Sequence, residues 1–113
     1  MKEIRAIVRR SKLARMRQVL RELPGFPGVT VHKAEGFTAP ASVDHRTIRE
    51  ELTDFTEKVV VTVLAPDELV QPIVAAMSGA CRTGQVGDGL IWVLPVEQVH
   101  RIRDNSTLWP TGA

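Results

Sequence analysis

The sequence predicts a small α+β domain in the order βαβ, long loop, βαβ, and three observations carry that expectation. Short alternating or β-branched runs recur near residues 4–9, 29–35, 58–64 and 90–94. Helical periodicity falls between the first and second runs and again between the third and fourth. A stretch without clean period, residues 36–57, separates the two halves. At 113 residues the chain fits one domain, 1–113, since domains commonly run about 100–150 residues.

The elements follow in order. Ile4, Ala6 and Val8 share one face of a strand, with Arg5, Ile7 and Arg9 on the other. Ser11 is placed to cap a helix in which Leu13, Met16, Leu20 and Leu23 form an apolar stripe. Pro24-Gly25-Phe26-Pro27-Gly28 ends it, because proline removes a backbone donor and glycine relaxes the turn. Val29–Glu35 reads as the second strand. Residues 36–57, with Pro40, Ser42, Asp44, His45, Arg46 and the pair Glu50-Glu51, read as a long exposed loop, compatible with a short surface helix over 47–55.

Lys58–Leu64 is a β-branched run suited to a central strand buried on both faces. Asp67 is placed to cap the next helix, with Leu69, Val70, Ile73, Val74 and Met77 inward; Pro72 should bend it unless the helix starts later. Thr83–Gly89 leads into the strand Leu90–Leu94 and a final extended piece through Arg103. The order matches a ferredoxin-like split βαβ sandwich. Helices cover one sheet face, and Ile7, Val29 or its neighbours, Val60 and Ile91 make the other incompletely polar, so a homo-oligomer is expected.

Composition excludes several classes. The formal charge of +2 is mild, and acids are interspersed with bases, which argues against a nucleic-acid module. Trp92, Trp109 and three phenylalanines are scattered without a stacking platform. No apolar run approaches the roughly 20 residues of a membrane span, and the N-terminus lacks the pattern of a secretory signal, so a cytoplasmic protein without membrane insertion is expected. Cys81 reads as a small buried side chain near a helix end.

Gly84, Gly87 and Gly89 allow a backbone path that presents N–H groups to an anion, with phosphate the natural guest; equally, they could build a simple turn. Arg101 and Arg103 alternate with Ile102, so in a strand both project to one side and could clamp phosphate. Asp44, His45, Glu50 and Glu51 supply ligand types for a metal, yet the histidines show no paired spacing, and no metal site is assigned. No nucleophile with an adjacent base is visible, so no catalytic residue is assigned and a small phosphate-handling enzyme remains the competing class.

Thr83-Gly84-Gln85-Val86-Gly87-Asp88-Gly89, with the strand after it, resembles the B-loop of the PII nitrogen-regulatory signal-transduction family, and Arg101-Ile102-Arg103 resembles its C-terminal arginine motif. Ile4–Arg9 with Lys12-Leu13, Val29-Thr30-Val31 before Gly36-Phe37, and Asp54-Phe55 with Lys58 are similar to further landmarks in the same order. The resemblance implies a non-enzymatic regulator: a homotrimer with nucleotide clefts between subunits, binding ATP or ADP, whose T-loop, here 36–57, docks on a target such as a membrane transporter or metabolic enzyme. By position, Gly87, Asp88 and Gly89 would contact phosphate, Arg101 and Arg103 would assist from the neighbouring subunit, and Ile7, Thr30 and Leu64 would surround the adenine.

The chain departs from the pattern in three places. Leu90 stands where the family has a phosphate-binding lysine, which implies weakened nucleotide affinity. Thr38-Ala39-Pro40-Ala41 lacks the family's glutamine for magnesium and 2-oxoglutarate, so a weak or absent response to 2-oxoglutarate is expected, although Lys58 remains. The sequence has no tyrosine, which excludes uridylylation of a T-loop tyrosine. These departures point to a divergent PII-like member, and a trimer that has exchanged nucleotide for a metal or another small ligand is the alternative.

Overall fold

The computed structural model describes residues 1–33, 57–85 and 87–109. Strand β1 (Lys2–Arg9) runs into a 3-10 turn (Arg10–Lys12) and helix α1 (Leu13–Arg21); β2 (Thr30–Lys33), β3 (Lys58–Ala65), helix α2 (Asp67–Cys81) and β4 (Gly89–Pro95) follow. The sheet order is β2-β3-β1-β4, with every neighbouring pair antiparallel. This is the split βαβ arrangement: β3 lies between β2 and β1, and β1 lies between β3 and β4.

Register explains the core. Ile4 lies opposite Val63 and Val93, Ala6 opposite Val61 and Ile91, and Val8 opposite Val59 and Gly89. Because side chains alternate, this set turns together toward the helices, where Met16 and Leu20 of α1 meet Val70, Ile73 and Met77 of α2. Cys81 closes the layer from the end of α2, with its sulfur 3.9 Å from that of Met16. Burial raises its thiol pKa, so it behaves as the small apolar side chain expected.

The opposite face carries Glu3, Arg5, Ile7 and Arg9 from β1, Lys58, Val60, Thr62 and Leu64 from β3, and Leu90, Trp92 and Leu94 from β4. Leu64, Trp92 and Leu94 are each more than a third exposed, so considerable apolar surface has no cover among the described residues. Ile91, expected on this face, belongs to the helix side opposite Ala6; Leu90 and Trp92 take its place. The error is a single residue of register, which in a strand exchanges the two faces.

Other local expectations are also corrected. Ser11 lies inside the 3-10 turn, and α1 begins after Lys12 without a side-chain cap. Asp67 is the first helical residue rather than the cap; its carboxylate pairs with the Met1 ammonium and, at 3.1 Å, with Lys2, and favours the positive end of α2. Pro72 lies inside α2, which begins at Asp67 and continues to Cys81, so the helix does not start after it. Val60 and Thr62 are only half-buried, so β3 is central in sheet order but fully covered on one face only. The described part of the second strand is Thr30–Lys33. The expected long loop lies outside the described residues except Glu57, whose carbonyl accepts from the Arg10 N–H at 2.9 Å.

Candidate functional site

The residues singled out from the sequence gather at two ends of the open sheet face. At the first, the segment linking α2 to β4 turns on positive-φ glycines, with φ of 82° at Gly84, 97° at Gly87 and 111° at Gly89. Gly89 is dictated by space as well as torsion: a Cβ there would sit 1.8 Å from the Ile7 carbonyl oxygen. No other residue lets β4 begin this close to β1.

Asp88 organises this segment from within. Its carboxylate accepts the N–H of Thr83 at 2.8 Å and of Gly84 at 2.9 Å, the Thr83 hydroxyl, and the Arg9 guanidinium at 3.1 Å. The Thr83 oxygen in turn accepts from Gln85 N–H at 3.2 Å. The Asp88 carboxylate therefore fills the concavity made by the Thr83 and Gly84 amides. Arg9 and Lys58 are register partners on β1 and β3, a like-charge pair that would be unfavourable alone. Asp88 offsets Arg9, and the Lys58 ammonium donates to the Gly87 carbonyl. The result is an electropositive end of the sheet beside a glycine-built turn.

Desolvation pushes the Asp88 pKa up, but the hydrogen bonds from Thr83 and Gly84 and the charge of Arg9 outweigh it, so the carboxyl is held below its ordinary value. A depressed native pKa contributes stability that is fully present above the unfolded value and is lost as pH falls through the native one. Glu57, Asp67 and Asp104, lowered mainly by hydrogen bonds from Arg10, the Met1 ammonium and Ser106, titrate in the same acidic window. Asp88→Asn isolates one contribution: urea midpoints should show the wild type more stable by a constant margin above the carboxylate range, with the margin narrowing as acid protonates Asp88. A margin that does not change with pH would contradict this role.

At the other end, Pro27, Gly28, Val29 and Thr30 join Thr62 and Leu64 of β3 and Leu108 and Trp109 of the C-terminal segment around a cavity of about 290 Å³. The C-terminal segment is a tight reversal. Leu108 N–H donates to the Val99 carbonyl at 2.8 Å, Arg101 N–H to Ser106 at 2.9 Å, and Asn105 N–H to Arg101 at 2.8 Å, while His100 bridges Thr107. Arg101 and Arg103 therefore stand on an exposed turn, not on one side of a continuing strand. The Arg101 guanidinium donates to the Ser106 hydroxyl at 3.2 Å, and Arg103 is 80% exposed.

The expected site residues are thus divided. Gly87, Asp88, Gly89 and Ile7 share the first end, where Ile7 lies opposite Val60 and Leu90. Thr30 and Leu64 share the second with the arginine-bearing reversal. β3 advances about 3.3 Å per residue, so Lys58 and Leu64 are roughly 20 Å apart. Asp44, His45, Glu50 and Glu51 lie outside the described residues. Among the described residues no three His, Cys, Asp or Glu side chains converge on a metal position.

Sequence reasoning missed Arg9 and Thr83 as partners of Asp88, and Thr62 and Trp109 as cavity residues. Arg9 was legible as an open-face position, since it alternates with Ile7. Trp109 carried no signal, because its place depends on the reversal after Val99.

Comparison with known proteins converges on one family. The family model described as "Nitrogen regulatory protein P-II" matches residues 1–106. A curated relative of that name from Azospirillum brasilense is 40% identical over 106 residues, covering 91% of this chain and 92% of its own. Another from Rhizobium meliloti (strain 1021) is 38% identical over 110 residues, covering 95% and 96%, and one from Nostoc punctiforme is 38% identical over 104, covering 91% and 92%.

Proposed function

The chain belongs to the P-II family of nitrogen regulatory proteins, and from that membership we propose that it is a signal-transduction adaptor that binds ATP or ADP between the subunits of a homotrimer. It acts by binding rather than turnover, in the cytoplasm, and residues 36–57 dock on a target protein, with a membrane transporter or a metabolic enzyme the expected kind. No described helix is long and apolar enough to cross a membrane.

The observation that carries this reading is the division of the site. One end of the chain offers the glycine turn with Arg9 and Lys58; the other offers Thr30, Leu64 and the arginine reversal, roughly 20 Å away along β3. A cleft between two copies brings unlike ends together: Gly87–Gly89 and Ile7 from one subunit, Thr30, Leu64, Arg101 and Arg103 from its neighbour. The open face supports the same assembly, because Ile7, Val60, Leu90, Trp92 and Leu94 need a partner surface. Guanidinium groups and Lys58 suit polyphosphate, while the Thr83 and Gly84 amides are already taken by Asp88. A ligand in the cleft changes target affinity only by binding two arrangements of 36–57 unequally.

Leu90 favours the second reading, an assembly that has replaced nucleotide by a metal or other small ligand. It lies half-buried opposite Ile7 and brings neither charge nor donor to the phosphate end. Calorimetric titration with ATP and ADP, with and without magnesium and 2-oxoglutarate, decides between them. Competing, saturable binding at one site per chain supports the first reading, with little change on adding 2-oxoglutarate. A folded assembly that takes up neither nucleotide rejects it.

A further inference from the structure

We propose that Trp109 forms an aromatic wall of the base-binding half of this cleft, so that a purine ring stacks on its indole while Thr30 and Thr62 meet the ring's polar edge. The inference rests on the nucleotide reading above and adds residues to it. Val29, Leu64, Leu108, Thr30, Thr62 and Trp109 are among the residues that line the cavity. An apolar lining with a few placed polar groups is the usual make-up of a small-molecule site, and a large aromatic face favours a planar ring over an acyl chain. Threonine hydroxyls both donate and accept, which matches the mixed edge of a purine.

Two further features point to Trp109 as more than a fastening for the tail. Its backbone sits at φ 49°, a conformation that bulky residues rarely adopt. The chain holds it there through the Leu108–Val99 hydrogen bond and the His100–Thr107 bridge. About 290 Å³ stays open in the cavity that Trp109 lines. The same reversal carries Arg101, bonded to Ser106, so a base against Trp109 and a phosphate on Arg101 would be held by one structural unit.

The test compares ATP binding by the full chain with that of Trp109→Ala and Trp109→Phe, alongside inorganic tripolyphosphate as a probe of the phosphate end. Trp109→Ala should weaken ATP roughly tenfold, the scale of one base–aromatic stack, while Trp109→Phe retains most of the affinity and tripolyphosphate binding is unchanged in both. In a Trp92→Phe background the remaining indole should change its emission as ATP, but not tripolyphosphate, saturates the site. This readout holds even if Trp109→Ala fails to fold. Equal ATP affinity in all three proteins, or an unresponsive indole at saturation, would overturn the role of Trp109 and leave the nucleotide reading standing. A wild-type protein that binds no ATP would overturn both.

Discussion

Gly89→Ala should destabilise the protein by more than about 2 kcal/mol, an effect large enough to lower its melting temperature by several degrees at least. Two costs combine at this position. The φ of 111° is closed to residues with a Cβ, and the added methyl would lie 1.8 Å from the Ile7 carbonyl oxygen and 2.9 Å from its carbon, which are backbone atoms of the inner strand β1. Neither can retreat without parting β4 from β1. Gly84→Ala is the control: φ is also positive, at 82°, but a Cβ there meets nothing within 4 Å, so about 1 kcal/mol is expected. Urea denaturation of both variants checks the contrast. Equal small losses would mean that the turn after α2 can relax in a way the register with Ile7 forbids.

Replacing Arg101 and Arg103 together by alanine should weaken ATP by at least about a hundredfold while leaving the melting temperature and assembly mass unchanged. Charge-assisted contacts to phosphate are each worth about 1.5–3 kcal/mol, and both guanidinium groups stand on an exposed turn where they support little else. Within the chain Arg101 donates to a serine hydroxyl, and Arg103 lies 3.8 Å from Asp104 in solvent, an arrangement that contributes little to stability. Full ATP affinity in the double variant would remove both residues from the site.

The gross fold was legible because the chain is locally consistent with it. Alternation through Ile4, Ala6 and Val8 fixed the face that β1 turns to the helices, and the Met16–Leu20 spacing fixed the face of α1 that meets it. What failed were decisions of one or two residues. Ser11 and Asp67 are good capping residues, but the 3-10 turn and the N-terminal ion pair take them elsewhere. Leu90 and Ile91 are both apolar, so nothing in their chemistry says which faces the helices; only pairing with Ile7 and Ala6 decides. The glycine turn was recognisable as a special backbone path. That Asp88 curls into it, against Thr83 and Gly84, depends on Arg9 arriving from a strand far away in sequence. The cavity at Trp109 could not be read from spacing, since its walls come from three separated segments.

Subunit mixing tests the central claim, a nucleotide cleft shared by two copies, most directly. Two variants are prepared, one with Asp88→Ala and one with Arg101 and Arg103 both replaced by alanine, each expected to bind ATP poorly as a pure assembly. They are then dissociated together and reassembled. If each cleft takes its glycine turn from one chain and its arginines from the next, some clefts in the mixed assembly combine two intact halves, and a fraction of sites with wild-type affinity should return. Mixed assemblies, verified by mass, that recover no such sites would contradict the account and place the whole site within one chain.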